Sequence, residues 1–428
     1  MAQRILKVCV GEAGIEVGTL RFEAQGNREF SSFQYDDGWL ADKRAFAIAP
    51  SLPLEPTQFF FKKEGDTVPP FPTPLSDAAP DSWGRNIIRR DARENRQDTS
   101  PLSELDYLLA VDDFSRMGAL RLREDQENAP FLASEPGGRH EIPPLLKLDE
   151  LGQSIQSIEK QSPMTAAALK RLRQVGSALG GARPKCSVID TDGSLLIAKF
   201  TSRQDTHDVE RTEVLTLKLA EACGLSASSA RLDMSDGLPV ALIRRFDRNT
   251  KGARIPYISA QTMLGAADAT SGTYTQLAEA MRQFSDDPKR DLNELFNRVG
   301  FTILVSNVDD HLRNHGFLFV GNGRWRLSRM FDVNPAPERH RELKTPISEI
   351  SGADASIEAL IKHATFFDLS SDEAAEAIYN MATTVSEKWQ PMARELGMDR
   401  ANLDIYRQAF EHDETKKALA LMQPRAAV

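Results

Sequence analysis

The stretch Ser306-Asn-Val-Asp-Asp-His-Leu-Arg-Asn-His-Gly316 carries two carboxylates and two amides, with Asp309 five residues ahead of Asn314. A D-x-x-x-x-N loop can hold a carboxylate near an acceptor hydroxyl and an amide oxygen on Mg²⁺, the two groups that a phosphoryl transfer asks of a protein. The spacing alone discriminates little. Asp81 and Asn86 repeat it, and a chain of 428 residues is expected to contain such a pair by chance. The downstream sequence separates the two. Gly316-Phe-Leu-Phe-Val320 and Arg324-Trp-Arg-Leu-Ser328 are strand-like runs joined through Gly321-Asn-Gly323, an Asn-Gly hairpin signal. Asn314 lies eight residues before Asn322 and Asp332 ten after it, so the hairpin is expected to return Asp332 to the side of Asn314. Protein kinases place their two metal-binding side chains in this way. The plainer alternative makes Asp309 and Asp310 caps or solvated loop residues and Asp332 a turn former ahead of Pro335. His311, two residues past Asp309, is read as structural, holding the loop.

Composition excludes several classes. With 41% hydrophobic and 27% charged residues the chain is ordinary globular material, long enough for two or three substructures. A net charge of -9 argues against general binding to a phosphate backbone, although a local basic face remains compatible with it. Cys9, Cys186 and Cys223 are scattered and odd in number, which suggests neither a disulfide framework nor a zinc site. The amino terminus has no apolar signal-like core, and no apolar run is long enough to span a bilayer. The expectation is a cytoplasmic protein with no membrane association.

Residues 4–62 read as short strands, 4–10, 17–22 and 29–35, in a small β-rich subdomain. Prolines at 69, 70, 72 and 74 imply an extended connection, and Asp81 is expected to cap a helix whose apolar stripe is Trp83, Ile87 and Ile88, making the Asp81/Asn86 pair capping plus surface. Residues 102–111 read as a further short helix, and the polar, Pro- and Gly-rich segment 124–144 is the best linker candidate. Then Gly176-Ser-Ala-Leu-Gly-Gly-Ala-Arg-Pro-Lys185 feeds a hairpin turning at Asp192-Gly193. Its glycines would let backbone N–H groups approach phosphates, with Ser177 and Lys185 at the mouth. The loop matches neither the Walker A nor the protein-kinase glycine pattern.

Lys199 stands in an apolar strand, Leu195-Leu-Ile-Ala-Lys-Phe200, where an enclosed ammonium needs a partner. In a kinase it would hold nucleotide phosphates, braced by Glu210 or Glu213 from the helix expected over 205–223. A second hairpin, 229–246, ends in Arg244-Arg-Phe-Asp-Arg248, where a connection between two lobes would fall; these arginines could equally be a solvated charge run. From 261 onward the pattern is helical, with a core helix at 292–305 and amphipathic helices at 350–364 and 372–396.

The sequence resembles the HipA family of bacterial serine/threonine kinases, toxins of toxin–antitoxin pairs, nearly from end to end. The resemblance rests on Val17-Gly-Thr-Leu-Arg-Phe22, Pro80-Asp-Ser-Trp-Gly84, Met117-Gly-Ala-Leu120, Gly180-Gly-Ala-Arg-Pro-Lys185, Arg245-Phe-Asp-Arg248, Asn307-Val-Asp-Asp-His-Leu-Arg-Asn314 and Asp332-Val-Asn-Pro335. It implies an α+β, two-lobed, protein-kinase-like fold with a β-rich N-terminal lobe and a mainly helical C-terminal lobe. The expected division is a β-rich subdomain at 1–125, the rest of the N-lobe at 126–252 and a helical C-lobe at 253–428. By resemblance Asp309 is catalytic, Asn314 and Asp332 bind Mg²⁺, and Lys199 contacts ATP. Gly180, Gly181, Ala182 and Lys185 belong to the phosphate-binding loop, and Glu213 is the favoured brace.

The family further implies a helix-turn-helix antitoxin of HipB type as partner, operator DNA reached only through that complex, and an aminoacyl-tRNA synthetase as the protein substrate whose phosphorylation arrests growth. It also implies autophosphorylation of the loop, with Ser177 as the candidate. In relatives that serine directly precedes the loop's Gly-Ala, whereas here Ala178 and Leu179 follow Ser177, a shifted register. The competing readings are a small-molecule phosphotransferase on a related fold and a non-catalytic, nucleotide-bound partner of a DNA-binding repressor.

Overall fold

Apolar side chains two residues apart build the first sheet. Leu6, Val8 and Val10 of β1 (Ala2–Val10), Leu20 and Phe22 of β2 (Ile15–Gln25), and Phe33 and Tyr35 of β3 (Arg28–Tyr35) are all buried. After α1 (Asp37–Leu40), β4 (Gln58–Lys62) pairs with β3, and the antiparallel order β4-β3-β2-β1-β5 is completed by β5 (Leu120–Glu124), which returns from far along the chain. Between β4 and β5 lie α2 (Thr73–Asp77), α3 (Ser82–Asn95) and α4 (Glu104–Ala110). The last of the clustered prolines sits in the first turn of α2, where a missing N–H leaves no intrahelical bond unmade. Ser103 and Asp106 form a capping box on α4.

The computed structural model describes residues 2–26, 28–65, 68–95, 101–134, 142–176, 181–338 and 341–422. Residues 135–141 of the linker candidate 124–144 therefore lie outside the described residues, as do Ser177 and Gly180. By internal packing the chain forms two compact units, 1–204 with 233–258, and 205–232 with 259–428.

The first unit contains a second layered core. The helices α5 (Leu148–Glu159) and α6 (Ala166–Gly176), together with α3, pack Trp83, Ile87, Leu151, Ile155, Leu169 and Leu172 onto a sheet. That sheet holds β6 (Lys185–Ile189) and β7 (Leu195–Phe200). The chain then runs through α7 (Val209–Ala222) and β8 (Ala230–Ser235) to β9 (Leu238–Arg244), which pairs antiparallel with β7. Asp208 caps α7 by accepting from the Arg211 N–H.

Beyond β10 (Tyr257–Ser259) and α8 (Ala260–Leu264) the second unit is mainly helical: α9 (Tyr274–Phe284) and α10 (Pro288–Leu304) precede the hairpin of β11 (Gly316–Gly321) and β12 (Arg324–Leu327). Then come α11 (Ile357–Lys362), α12 (Ser371–Glu395), α13 (Arg400–Phe410) and α14 (Asp413–Ala420). Leu292, Leu295, Phe296, Val299 and Ile303 line the buried stripe of α10, and a side chain at Gly300 would collide with Ile378 of α12. The helix expected from 350 starts only at Ile357. Residues 350–356 contain Gly352 at φ +67 and a Ser356 N-cap, so the chain turns before it coils.

Candidate active site

The hairpin forms as its sequence demands. Phe317 pairs with Leu327 and Phe319 with Trp325, and Asn322 and Gly323 both take positive φ, +52 and +69, as a tight turn matched to strand twist requires. Ser328 N–H donates to the Gly316 carbonyl at 2.8 Å, so the chain comes back to within two residues of Asn314.

The loop between α10 and β11 is pinned at both ends. At its start, Ser306 has φ +55; its hydroxyl donates to the Ala409 carbonyl at 2.9 Å and accepts from Arg341 Nε at 2.9 Å. At its end, the Asn314 N–H closes a 3₁₀ turn onto the His311 carbonyl at 2.8 Å, and Asn314 Nδ2 donates to the Asp309 carbonyl at 3.2 Å. An amide with its nitrogen turned into the loop has its oxygen left to accept a hydrogen bond or meet a cation. His311 is half-buried, and its backbone rather than its ring makes the turn; its Nδ1 has no hydrogen-bond partner among the described residues.

The adjacent aspartates differ. Asp309 is exposed, whereas Asp310 is 3% exposed and its Oδ2 accepts from Tyr274 Oη at 2.5 Å, His315 Nε2 at 3.0 Å and Thr302 Oγ1 at 3.3 Å. Burial would push the Asp310 carboxyl up, but the His315 imidazole and the hydrogen bonds from His315 and Tyr274 outweigh it and hold the group below the ordinary carboxylate range. One aspartate anchors the loop and its neighbour is presented to solvent.

Asp332 follows the hairpin with φ +55, a left-handed conformation that aspartate tolerates better than most residues. The segment behind it is tied to the loop's start: Asn334 N–H donates to Asn307 Oδ1 at 3.0 Å, Ala336 N–H to the Ser306 carbonyl at 2.9 Å, and Asn334 Nδ2 to Asp332 Oδ1 at 3.0 Å. Among the described residues no group of three or more His, Cys, Asp or Glu could hold a metal ion. A cation here would depend on one carboxylate, one amide oxygen and ligand phosphates, a donor set that suits Mg²⁺ and not zinc.

In the first unit, Lys185 of β6 and Lys199 of β7 stand directly opposite each other in the ladder, 3% and 8% exposed. Lys185 Nζ lies 3.6 Å from Asp81 Oδ2, an ionic contact too long for a hydrogen bond, and Trp83 Nε1 donates to the Lys185 carbonyl at 3.0 Å. Burial raises the Asp81 carboxyl, with Lys185 and the Gly84 N–H working against it. Asp81 does cap α3, accepting from Gly84 N–H at 3.0 Å, but it also faces the loop lysine, a partnership that one-dimensional spacing could not reveal. At Gly181, φ is +101 and a Cβ would stand 2.3 Å from Lys185 Nζ, so this position of the loop admits only glycine while the lysine lies along it. Ala182 is exposed beside it. Glu210 and Glu213 are both buried on α7 in the second unit.

The run 244–248 is only partly the solvated charge run considered above. Arg244 is half exposed, paired with Asp192. Arg245 is buried and the Arg248 side chain is largely covered, and both grip Asp247, at 2.6 Å each; Asp247 also accepts from Gly118 N–H at 2.8 Å. Gly118 has φ +73, and a Cβ there would press on Tyr257 at 3.1 Å. The Met117-Gly-Ala-Leu120 and Arg245-Phe-Asp-Arg248 stretches are thus one buried polar cluster, invisible to sequence because 129 residues separate its partners.

His412 secures the loop from behind, its ring Nε2 donating to the Leu304 carbonyl at 3.2 Å. Burial, reinforced by Arg341, pushes its pKa down to about 4. An unfolded histidine titrates near 6.5, so its contribution to stability is present above about pH 6.5 and lost as pH falls towards about 4. His412→Gln, which keeps a donor and cannot charge, is expected to lose less stability than the native chain between about pH 7 and pH 5, as thermal unfolding at the two pH values would show.

Two family models match the sequence, the HipA N-terminal domain over residues 6–123 and the HipA-like C-terminal domain over residues 177–389. The Sinorhizobium fredii protein named "Putative kinase Y4mE" is 24% identical over 322 residues, covering 70% of this chain and 71% of its own length. A Haemophilus influenzae protein with the same kinase designation is 31% identical over 78 residues, 18% of this chain and 23% of its own. Among solved structures, a chain of the toxin–antitoxin complex of HipA, HipB and operator DNA from Shewanella oneidensis MR-1 has the same fold, with a TM-score of 0.66 over 97% of this chain and 96% of that one, at 15% identity. With both domain models matched and the whole fold shared, the chain belongs to the HipA family.

Proposed function

We propose that this protein is an ATP- and Mg²⁺-dependent serine/threonine protein kinase, the toxin of a toxin–antitoxin pair. The observation that carries the reading is the contrast within one loop: Asp309 is exposed next to an Asn314 amide whose nitrogen is committed to the loop, while Asp310 is buried and hydrogen-bonded as the anchor. The kinase names of relatives and the HipA family support it.

In the reaction, the acceptor hydroxyl gives its proton to the Asp309 carboxylate as its oxygen forms a bond to the γ-phosphorus; the bond from that phosphorus to the bridging oxygen breaks, and ADP leaves with the electron pair. Lys199 and the loop ending in Lys185 hold the phosphates, with Glu213 as the favoured brace for Lys199 and Glu210 the other candidate. Asn314 and Asp332 would hold Mg²⁺, which when bound neutralises charge on the phosphate oxygens. A cytoplasmic location is part of the same reading; no helix among the described residues is long and apolar enough to cross a membrane. A HipB-like antitoxin is the proposed partner, operator DNA is reached through it, and a translation component such as an aminoacyl-tRNA synthetase is the proposed substrate.

The test is the intact mass of the chain after Mg-ATP, beside Asp309→Ala, with peptide mapping. The expected result is added phosphate in the native chain alone, mapping to Ser177 if the loop modifies itself. Phosphate transfer to small alcohols or aminoglycosides but not to protein would overturn the protein-kinase assignment; nucleotide binding with no turnover would overturn catalysis.

A further inference from the structure

Two buried amide atoms beside Asp332 lack hydrogen-bond partners among the described residues, Asn307 Nδ2 and Asn334 Oδ1. Their orientations are nonetheless determined. Turning the Asn307 amide over would set its NH₂ against the Asn334 N–H, and turning Asn334 would set its oxygen against the Asp332 carboxylate. Asn307 is 1% exposed, and its own N–H is bonded to the Thr302 carbonyl at 2.9 Å at the end of α10. A rigid chain therefore runs from the core helix through Asn307 Oδ1 to the Asn334 backbone, and through Asn334 Nδ2 to Asp332 Oδ1. Filling this space with two amides strands a buried donor and a buried acceptor, which leucines of the same size would not do. The arrangement makes sense if the hydrogen bond delivered to Asp332 is what the amides are for.

We propose that Asn334, aligned by Asn307, is a positioning residue for Asp332: it fixes the rotation of the carboxylate and keeps the residue in its left-handed conformation, pre-set for a divalent cation. The inference rests on reading Asp332 as a cation ligand. Outer-shell partners of metal ligands commonly account for 10–100-fold in metal affinity.

The experiment is a Mn²⁺ titration of the full chain with a saturating non-hydrolysable ATP analogue, followed by the electron paramagnetic resonance of free Mn²⁺, for the native chain, Asp332→Ala, Asn334→Leu and Asn334→Ala. Urea unfolding is run alongside. Both Asn334 variants are expected to bind Mn²⁺ about 10–100-fold more weakly, and Asn334→Leu, which keeps the volume and removes the stranded acceptor, to unfold at no lower urea concentration than the native chain. In phosphate transfer, the Mg²⁺ needed for half-maximal rate should rise by a similar factor, with a much smaller change in turnover at saturating Mg²⁺. General structural damage would not produce that split. Mn²⁺ binding within twofold of native in both Asn334 variants, with Asp332→Ala impaired, would overturn the positioning role and leave the cation site standing. Unimpaired binding by Asp332→Ala would overturn the cation reading of Asp332 and the proposal with it.

Discussion

Asp309→Ala is expected to lower phosphoryl transfer about 10²–10⁴-fold, the range that a positioned general base supplies, without moving the unfolding midpoint. Asp310→Ala is expected to do the reverse in kind. The Asp309 side chain is exposed, so its removal strands nothing. Removing Asp310 strands the Tyr274 hydroxyl and the His315 Nε2–H in the core of the second unit, and each buried donor left without an acceptor costs about 1–3 kcal/mol. The Asp310 carboxyl is held below its ordinary value, so this stabilisation is complete above about pH 4 and is lost as pH falls through the lower folded-state pKa. Urea unfolding and Mg-ATP turnover on the two variants decide the matter. Wild-type stability in Asp310→Ala, or near-native turnover in Asp309→Ala, would show that the roles have been divided wrongly.

The second large effect is expected at Asp247→Ala, in the buried polar cluster of the first unit. Burial alone would raise the Asp247 carboxyl, but Arg245 and Arg248 keep it far below the usual carboxylate range, so it is charged at any ordinary pH. Without it, two buried guanidiniums face each other with no carboxylate between them, and Gly118 N–H loses its acceptor. The expected loss is about 3–5 kcal/mol in the first unit. Asp192→Ala is the matched control: its pair with Arg244 is about half exposed on both sides and screened by water, so its loss is expected to leave the unfolding midpoint essentially unchanged. Similar unfolding midpoints for the two variants would mean that the cluster is not the strut described here. A selective loss at Asp247 with unchanged nucleotide binding in the surviving folded fraction would place the cluster in the scaffold rather than the chemistry.

Local pattern was enough to find what neighbouring residues decide. The two-residue alternation of 4–35, the turn at 321–323, the apolar stripe of α10 and the five-residue step from Asp309 to Asn314 each depend on residues within a few positions, so they are legible in the chain. The place of β5 at the edge of the first sheet, against β1, depends on a partner more than a hundred residues away and was not legible. Sequence could rank Asp309 above Asp310 only by spacing. Tertiary structure set one in solvent and buried the other against Tyr274, His315 and Thr302, because which of two adjacent carboxylates finds donors depends on helices arriving from elsewhere. The same cause hid the pairing of Asp81 with Lys185, the covering of Arg245 and Arg248, and the amide chain from Asn307 to Asp332. Each joins groups whose separation in sequence carries no period, and whose charges or amides are affordable in a core only because the fold brings their partners to them.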